Sequence, residues 1–341
     1  MNIGKLSLDN PFILAPMAGY TDAAFRSLCY DFGCAMAYTE VVVAQGLVRG
    51  SKPSWHLLET VENEHPAAAH IYGSDPRVMA DTAAMIEQTG RFDTIDINCG
   101  CPVRKIVAKG AGAALIRSPQ LIGKIVKAVV GAVTLPVTVK TRIGFEPGVE
   151  RVSEIAEAAE DNGAAMIAIH GRYAAHHHRG DVDWDLIAEI KRERGIPVVG
   201  NGGIMTASDA ILHLGKYSLD GIMIARGAVG RPWIFEDIHD IQNGNPLRRR
   251  THAELREVIS THLQRLVRLK EKEALYRRKS SFDPDHNAAR KFRSHLIQYL
   301  RGFSDWSDIR RRLNSIETTA DILQIVDTVF ARQETDTLPQ V

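Results

Sequence analysis

Short β-rich runs alternate along the chain with segments whose apolar residues recur every three or four positions. Phe12–Ala15, Ala35–Val42, Ala67–Tyr72, Thr94–Ile97, Pro136–Thr141, Ala165–His170, Pro197–Gly200 and Gly221–Ala225 read as strands. Between them Pro76–Thr89, Pro119–Ala132, Val149–Asn162, Trp184–Arg194 and Ala207–Leu214 carry the helical period. Gly or Pro punctuates most junctions: Gly163 follows a helix, and Gly195-Ile196-Pro197 closes one helix and opens a strand. Repeated β-then-α units over about 240 residues predict a (β/α)8 TIM barrel, which fits them more economically than an open doubly wound sheet.

The pattern changes after Arg231-Pro232-Trp233-Ile234-Phe235. Asn243-Gly244-Asn245-Pro246 is a turn-rich break, and no convincing strand follows it. Over His252–Lys272, Leu255, Ile259, Leu263, Leu266 and Leu269 fall at helical spacing and predict an amphipathic helix. Ala288–Leu300 and Asp305–Ile316 also read as helices. The expected organisation is therefore α/β: a barrel over 1–242, an all-α helical bundle over 243–332 and a polar tail over 333–341.

Composition narrows the class. An apolar content of 45% suffices for a packed core, and 24% charged residues mark an ordinary soluble chain. Four cysteines form no secreted disulfide framework, which points to a reducing cytoplasm. The N-terminal residues lack the apolar core of a signal peptide, and no run approaches a membrane span. The net charge of +1 hides an asymmetry. Residues 243–312 hold 18 Lys and Arg against 8 Asp and Glu, whereas residues 1–242 hold 23 against 28. A basic module on a mildly acidic body points to a polyanion, nucleic acid first, against the plainer reading of a solvated helical surface.

In a parallel barrel, chemistry sits where strands end. Strand one ends in Ala15-Pro16-Met17-Ala18-Gly19 and strand two in Thr39-Glu40; strand three brings His70. Strand four leads into Asn98-Cys99-Gly100-Cys101-Pro102, either a tight turn with two small thiols or a catalytic thiol beside a binding amide. Lys140 and Arg142 end strand five and His170-Gly171-Arg172 strand six; Asn201-Gly202-Gly203 and Arg226-Gly227 follow the last two strands, where barrels cradle phosphates. Lys140 is placed to set a cation beside an electron-rich ring such as a reduced flavin. Ionisable, polar or glycine residues at every strand end favour an active site. His176-His177-His178 reads as a loop, because consecutive residues cannot all face one ion. Cys99 and Cys101 lack the further ligands of a structural zinc site, and no metal site is expected.

These motifs, in this order, resemble the tRNA-dihydrouridine synthases over nearly the whole chain. The likeness rests on Ala15-Pro16-Met17-Ala18-Gly19-Tyr20-Thr21-Asp22, Asn98 to Pro102, Gly110 to Leu115, Lys140 to Gly144, His170-Gly171-Arg172, Asn201-Gly202-Gly203, Arg231 to Ile234 and Arg290-Lys291 to Leu300. The Ala-Gly and Gly-Arg-Pro-Trp forms look closest to the bacterial DusB-like branch. The resemblance implies an enzyme that reduces the C5=C6 bond of a uridine in the tRNA D-loop. NADPH (or NADH) would reduce FMN, the flavin N5 would deliver hydride to C6, and Cys101 would protonate C5. It assigns Pro16, Met17, Ala18, His70, Lys140, His170, Asn201, Gly202, Gly203, Ala225 and Arg226 to the cofactor. It assigns Asn98, Arg142, Arg172, Arg290, Lys291 and Arg293 to the RNA substrate. It further implies a cytoplasmic monomer without an obligate protein partner or a membrane.

Two positions depart from the family pattern. His70 stands where a Gln usually bonds the flavin pyrimidine edge, and a neutral imidazole cannot reproduce that bidentate contact. Ala225 stands where Gly is usual. Other readings are the same chemistry on ribosomal RNA, a small-molecule FMN oxidoreductase like dihydroorotate dehydrogenase, and an RNA-binding protein on a decayed barrel. The basic helical module separates the RNA-modifying reading from the small-molecule one, since a small substrate would not need it.

Overall fold

The computed structural model describes residues 1–277, 282–303, 306–333 and 338. Eight parallel strands close into a barrel: β1 (Phe12–Leu14), β2 (Met36–Tyr38), β3 (Ala67–Tyr72), β4 (Thr94–Cys99), β5 (Val137–Arg142), β6 (Met166–His170), β7 (Val198–Asn201) and β8 (Gly221–Ile224). Closure is made where β8 pairs with β1, Ile222 opposite Phe12, and where β2 pairs with β3, Ala37 opposite Ala67. The expected strands match within one or two residues, except for the second. Only Met36–Tyr38 of Ala35–Val42 joins the barrel there, and Val42–Val43 makes a separate short pairing with β3. β4 runs to Cys99, so Asn98 and Cys99 belong to the strand and the turn begins at Gly100.

Helices α1 (Ala23–Asp31), α2 (Pro76–Glu87), α3 (Pro119–Val130), α4 (Val152–Asp161), α5 (Trp184–Glu193), α6 (Ala207–Lys216) and α7 (Ile234–Gln242) lie around the barrel. Their starts are written in the sequence. Asp22 accepts from Phe25 N–H, Asp75 from Arg77 and Val78 N–H, and Asp183 from Leu186 N–H, while Thr206 and Asp209 form a capping box. The crossover from β2 to β3 holds only two short helices, Ala44–Val48 and Lys52–His56.

Strand alternation divides the barrel interior into two zones. Ile13, Met36, Tyr38, Ala68, Met166, Ala168, Val199 and Met223 fill the N-terminal half. An N-terminal hairpin, Asn2–Ile3 against Leu6–Ser7, seals that end with Ile3 and Leu8; the sequence pattern did not predict it. Toward the C-terminal ends the inward positions turn polar: His70, Asp96, Asn98, Thr138, Lys140, His170 and Asn201.

Beyond α7 the chain is helical: α8 (His252–Arg277), α9 (Pro284–Tyr299), α10 (Trp306–Arg312) and α11 (Thr319–Phe330). The predicted stripe Leu255, Ile259, Leu263, Leu266 and Leu269 is buried, packed with Ala288, Phe292 and Leu296 of α9 and Ile322, Ile325, Val326 and Val329 of α11. The helix expected over Asp305–Ile316 ends at Arg312 and tightens into a 3-10 turn, Leu313–Ser315. α11 was not predicted, although Thr318 and Asp321 form its capping box. Ala23 and Ala24 of α1 and Trp233 belong to the same apolar core as these helices. Most of the tail expected over 333–341, and Arg278 and Lys279 of the basic module, lie outside the described residues.

Candidate active site

The C-terminal mouth of the barrel holds a cavity of about 470 Å³. Each residue assigned above to the cofactor lines it, and so do Asn98, Cys101, Arg142 and Arg172. The strand ends bring them together. Register places Asn98 opposite Lys140, Arg142 opposite His170, and His170 opposite Asn201. The Pro16–Gly19 loop is fixed by Thr21, whose hydroxyl accepts from Met17 N–H at 2.9 Å, and by Glu40, which accepts from Gly19 N–H at 2.5 Å.

The loop carrying Cys101 is held from several sides. Asn98 Oδ1 accepts from Gly100 N–H at 3.0 Å and from Cys101 N–H at 2.9 Å. Arg142 Nε donates to Gly100 O at 3.0 Å, and Cys101 O accepts from Ala113 N–H at 3.0 Å. Gly112 sits at φ +59, where a Cβ would come within 2.8 Å of Cys101 O, so the turn needs glycine there. The thiols thereby separate. Cys99 is fully buried with its thiol pushed well up by burial, out of titrating reach, whereas Cys101 is half-buried on the cavity wall.

Burial also raises the Cys101 thiol, outweighing a Val103 backbone hydrogen bond and the charges of Arg142 and Lys140. At neutral pH the sulfur therefore keeps its proton. Lys140 is half-buried and pushed down to about 8, by burial first and by Arg142 second; its ammonium donates to Asn201 Oδ1 at 3.1 Å. Asn201 in turn donates to Met223 O at 2.7 Å, so this amide orients the lysine rather than facing an anion with both ends. Burial and then Arg142, Lys140 and Arg172 hold His170 well below its usual range, and its Nε2 accepts from Arg172 Nη1 at 3.2 Å. The wall carries Lys140, Arg142, Arg172 and Arg226, and no carboxylate among the described residues that line it.

The far end of the cavity fits a phosphate. Gly202 lies at φ +129, where a Cβ would meet His170 Cδ2 at 2.9 Å, and Gly203 lies at φ +72. Backbone N–H groups without side chains, beside the Arg172 and Arg226 guanidiniums, form a donor set suited to a phosphomonoester. Gly227 serves packing instead: a Cβ there would strike Ile204 O at 2.7 Å.

Three expectations change on inspection. His70 presents no nitrogen to a flavin, because Nδ1 meets Asp96 Oδ2 at 2.6 Å and Nε2 meets Asn98 Nδ2 at 3.0 Å. Arg293 donates to Ile316 O at 2.5 Å and so braces α9 against the segment before α11. Lys291 is turned toward the barrel, 3.9 Å from Asp22 and from Glu40, which leaves Arg290 as the fully outward cation of the three. Conversely, the histidine tract read as a plain loop does reach the site. His177 and His178 line the cavity, Arg142 donates to His177 O at 2.7 Å, and the His178 ring stacks on His170 at 6.1 Å. Burial and the surrounding arginines push His178 down to about 4. Its position just beyond Arg172, at a strand's C-terminal end, was the available signal.

Comparison with known proteins agrees with this geometry. The family described as "Dihydrouridine synthase (Dus)" matches residues 13–334. The chain is 38% identical over 331 residues to tRNA-dihydrouridine synthase B of Shewanella oneidensis, covering 97% of this chain and 98% of that protein. To tRNA-dihydrouridine synthase B of Salmonella typhimurium it is 35% identical over 331 residues, covering 97% and 99%. Among solved structures, 6-hydroxypseudooxynicotine amine oxidase from Pseudomonas geniculata superposes with a TM-score of 0.58 at 15% identity, over 98% of this chain and 66% of that one. Histamine dehydrogenase from Rhizobium superposes with a TM-score of 0.54 at 14% identity, over 78% of this chain and half of the other. These two likenesses concern the barrel fold.

Proposed function

The chain belongs to the dihydrouridine synthase family, and from that membership we propose a flavin-dependent reduction of the C5=C6 bond of a uridine in tRNA. The observation that carries the reading is a protonated, half-buried Cys101 on the wall of a cationic, carboxylate-free cavity with a glycine cradle at one end. We read the flavin as FMN, whose single phosphate suits Gly202, Gly203, Arg172 and Arg226, and the electron source as NADPH. Bound and reduced, the flavin supplies the hydride that adds to C6 of the uracil.

The protein's own groups account for the rest. Pro16, Met17 and Ala18 offer a flat apolar floor for a ring, and the Lys140 ammonium, oriented by Asn201, favours negative charge on that ring. Cys101 Sγ–H gives its proton to C5, completing the 5,6-dihydrouridine, and the thiolate left behind is reprotonated from solvent. A thiol raised by burial is chemically suited to this step, since it arrives as the acid. With Oδ1 committed to the Cys101 loop and one N–H to His70, Asn98 has a second N–H for the uracil edge. A uridine reaches such a cavity only when turned out of the RNA stack. The D-loop is the natural source of an unstacked uridine. The basic helices supply phosphate contacts, with Arg290 the foremost residue.

We further read the protein as a cytoplasmic monomer; among the described residues no helix is long and apolar enough to cross a membrane. The test is direct. The full-length protein, loaded with FMN and given NADPH, is incubated with tRNA lacking dihydrouridine, and products are mapped by mass spectrometry. Cys101→Ala should keep its flavin and its NADPH-driven flavin reduction while losing most product. Normal product formation by that variant removes the acid role, and a purified protein without flavin removes the reading altogether.

A further inference from the structure

The polar centre of the barrel contains a directional hydrogen-bond chain that ends on the Cys101 loop. Two-residue alternation puts Asp96 and Asn98 on the same inward face of β4, and register sets His70 of β3 opposite Asp96. The direction of every bond follows from one fixed point. Asn98 Oδ1 must be the acceptor for Gly100 and Cys101, because both partners are backbone N–H groups. Asn98 Nδ2 therefore donates, and His70 Nε2, 3.0 Å away, must accept. The imidazole proton then lies on Nδ1, aimed at Asp96 Oδ2 at 2.6 Å. Thr138 Oγ1 donates to the other Asp96 oxygen at 2.5 Å.

We propose that Asp96 and His70 are positioning residues for Cys101: they hold the Asn98 amide so that its oxygen fixes the Gly100–Cys101 backbone. This rests on the reading of Cys101 as the acid. The unit is built at a cost. Asp96 and Thr138 are fully shielded from solvent, and a carboxylate so placed carries a desolvation penalty. The Thr138 hydroxyl, the His70 N–H and the nearby Lys140 ammonium offset it. Without His70 the Nδ2 end of the Asn98 amide loses its acceptor, and the Gly100 and Cys101 N–H groups are left to orient it alone. Rotated by half a turn, it would point N–H groups at the N–H of Cys101, and the loop would lose two hydrogen bonds at once. A glutamine at this position would keep the register, because the oxygen and nitrogen of its amide are spaced much like the two ring nitrogens of an imidazole.

Three variants of the full-length, flavin-loaded protein test the proposal. His70→Leu removes both links. Asp96→Leu fills similar space but removes the acceptor of the imidazole N–H, so the His70 tautomer that accepts from Asn98 is no longer held. His70→Gln can still donate to Asp96 and accept from Asn98. Cys101 alkylation by iodoacetamide is followed by peptide mass spectrometry, which separates it from the buried Cys29, Cys34 and Cys99. Flavin content, kcat and KM on tRNA are measured alongside.

His70→Leu and Asp96→Leu should keep their flavin, alkylate Cys101 several-fold faster and lose about 10- to 100-fold in kcat with little change in KM, as a small misplacement of a reacting group does. His70→Gln should recover most of both losses. Wild-type alkylation and kcat in the first two variants would overturn the proposal. Loss of flavin with unaltered alkylation would overturn it too, by making His70 a flavin ligand. Failure of the acid reading stays separable: Cys101→Ala would then retain turnover, while the alkylation rates still decide whether His70 and Asp96 hold the loop.

Discussion

His295 of α9 is buried where the helices meet the barrel, and it should make the protein acid-sensitive. Its ring lies 5.1 Å from Tyr20, 4.9 Å from Phe25 and 4.5 Å from His262, and neither nitrogen has a well-formed hydrogen bond, although the Tyr20 backbone lies beside it. Burial is the main reason that its pKa falls from 6.5 to about 4; Lys291 lowers it further and Asp22 opposes. The unfolded chain therefore binds a proton between pH 6.5 and 4 that the folded protein refuses. The stability from keeping this imidazole neutral is complete above the unfolded pKa and is lost as pH falls through that window. For one such group the linkage relation gives a loss of about 2 kcal/mol at pH 5 relative to pH 7. His262, lowered by burial, His295, Arg265 and Lys291, adds a loss of the same sign. In His295→Leu, urea unfolding followed by circular dichroism at pH 7 and pH 5 should show the stability difference shrink by about 2 kcal/mol. An unchanged difference would refute the argument that a buried neutral imidazole sets the acid limit.

Other outcomes follow from the same geometry. Gly202→Ala should lower flavin content in the purified protein, because the added Cβ meets His170 at φ +129; absorbance at the flavin band checks it. Glu64→Ala strips the partner from Arg26, both ends of that pair being fully buried at 2.9 Å, and should cost about 3–5 kcal/mol in chemical unfolding. Arg290→Glu should weaken RNA binding and flatten its salt dependence by about one to two ion equivalents, whereas Arg293→Ala should instead lower the melting temperature through loss of the bond to Ile316 O. Because the Cys101 thiol is raised by burial, dihydrouridine formation should persist to alkaline pH and decline only as the thiol ionises; a fall already at neutral pH would contradict its role as acid.

The barrel was legible because its evidence is local: strand runs, Asp and Thr caps, and Gly or Pro at junctions. The cavity was legible for a different reason, since a parallel barrel gathers every strand's end at one mouth, and position alone nominated Lys140, His170 and Arg226. What the pattern could not carry was the partner of each side chain. His70 was expected to face a flavin, but Asp96 and Asn98, adjacent only through register, claim both its nitrogens. Arg293 and Lys291 sit in a basic run, yet a carbonyl on the following segment and two carboxylates on the barrel draw them inward. His178 was hidden by the assumption that a histidine tract matters only as a metal tract. The N-terminal hairpin was missed because two-residue strands are shorter than any periodic window, whereas α11 did carry a signal, Ile322, Ile325, Val326 and Val329 at helical spacing behind a capping box.

Ala23, Ala24 and Trp233 pack in the same apolar core as the C-terminal helices. The basic part of this enzyme is therefore not a cassette. Excised at the sequence break near Asn243, it would leave Ala23, Ala24 and Trp233 wet on the barrel and uncover the apolar side chains of the helices that pack on them. A chimera that exchanges RNA preference between relatives would have to import α1 and the Trp233 segment along with α8 to α11. Since Asp22, the cap of α1, lies three residues after the Pro16–Gly19 loop, such a graft would reach the loop proposed here as the floor for the flavin ring. Under the proposed assignments, RNA preference and cofactor seating would be inherited together.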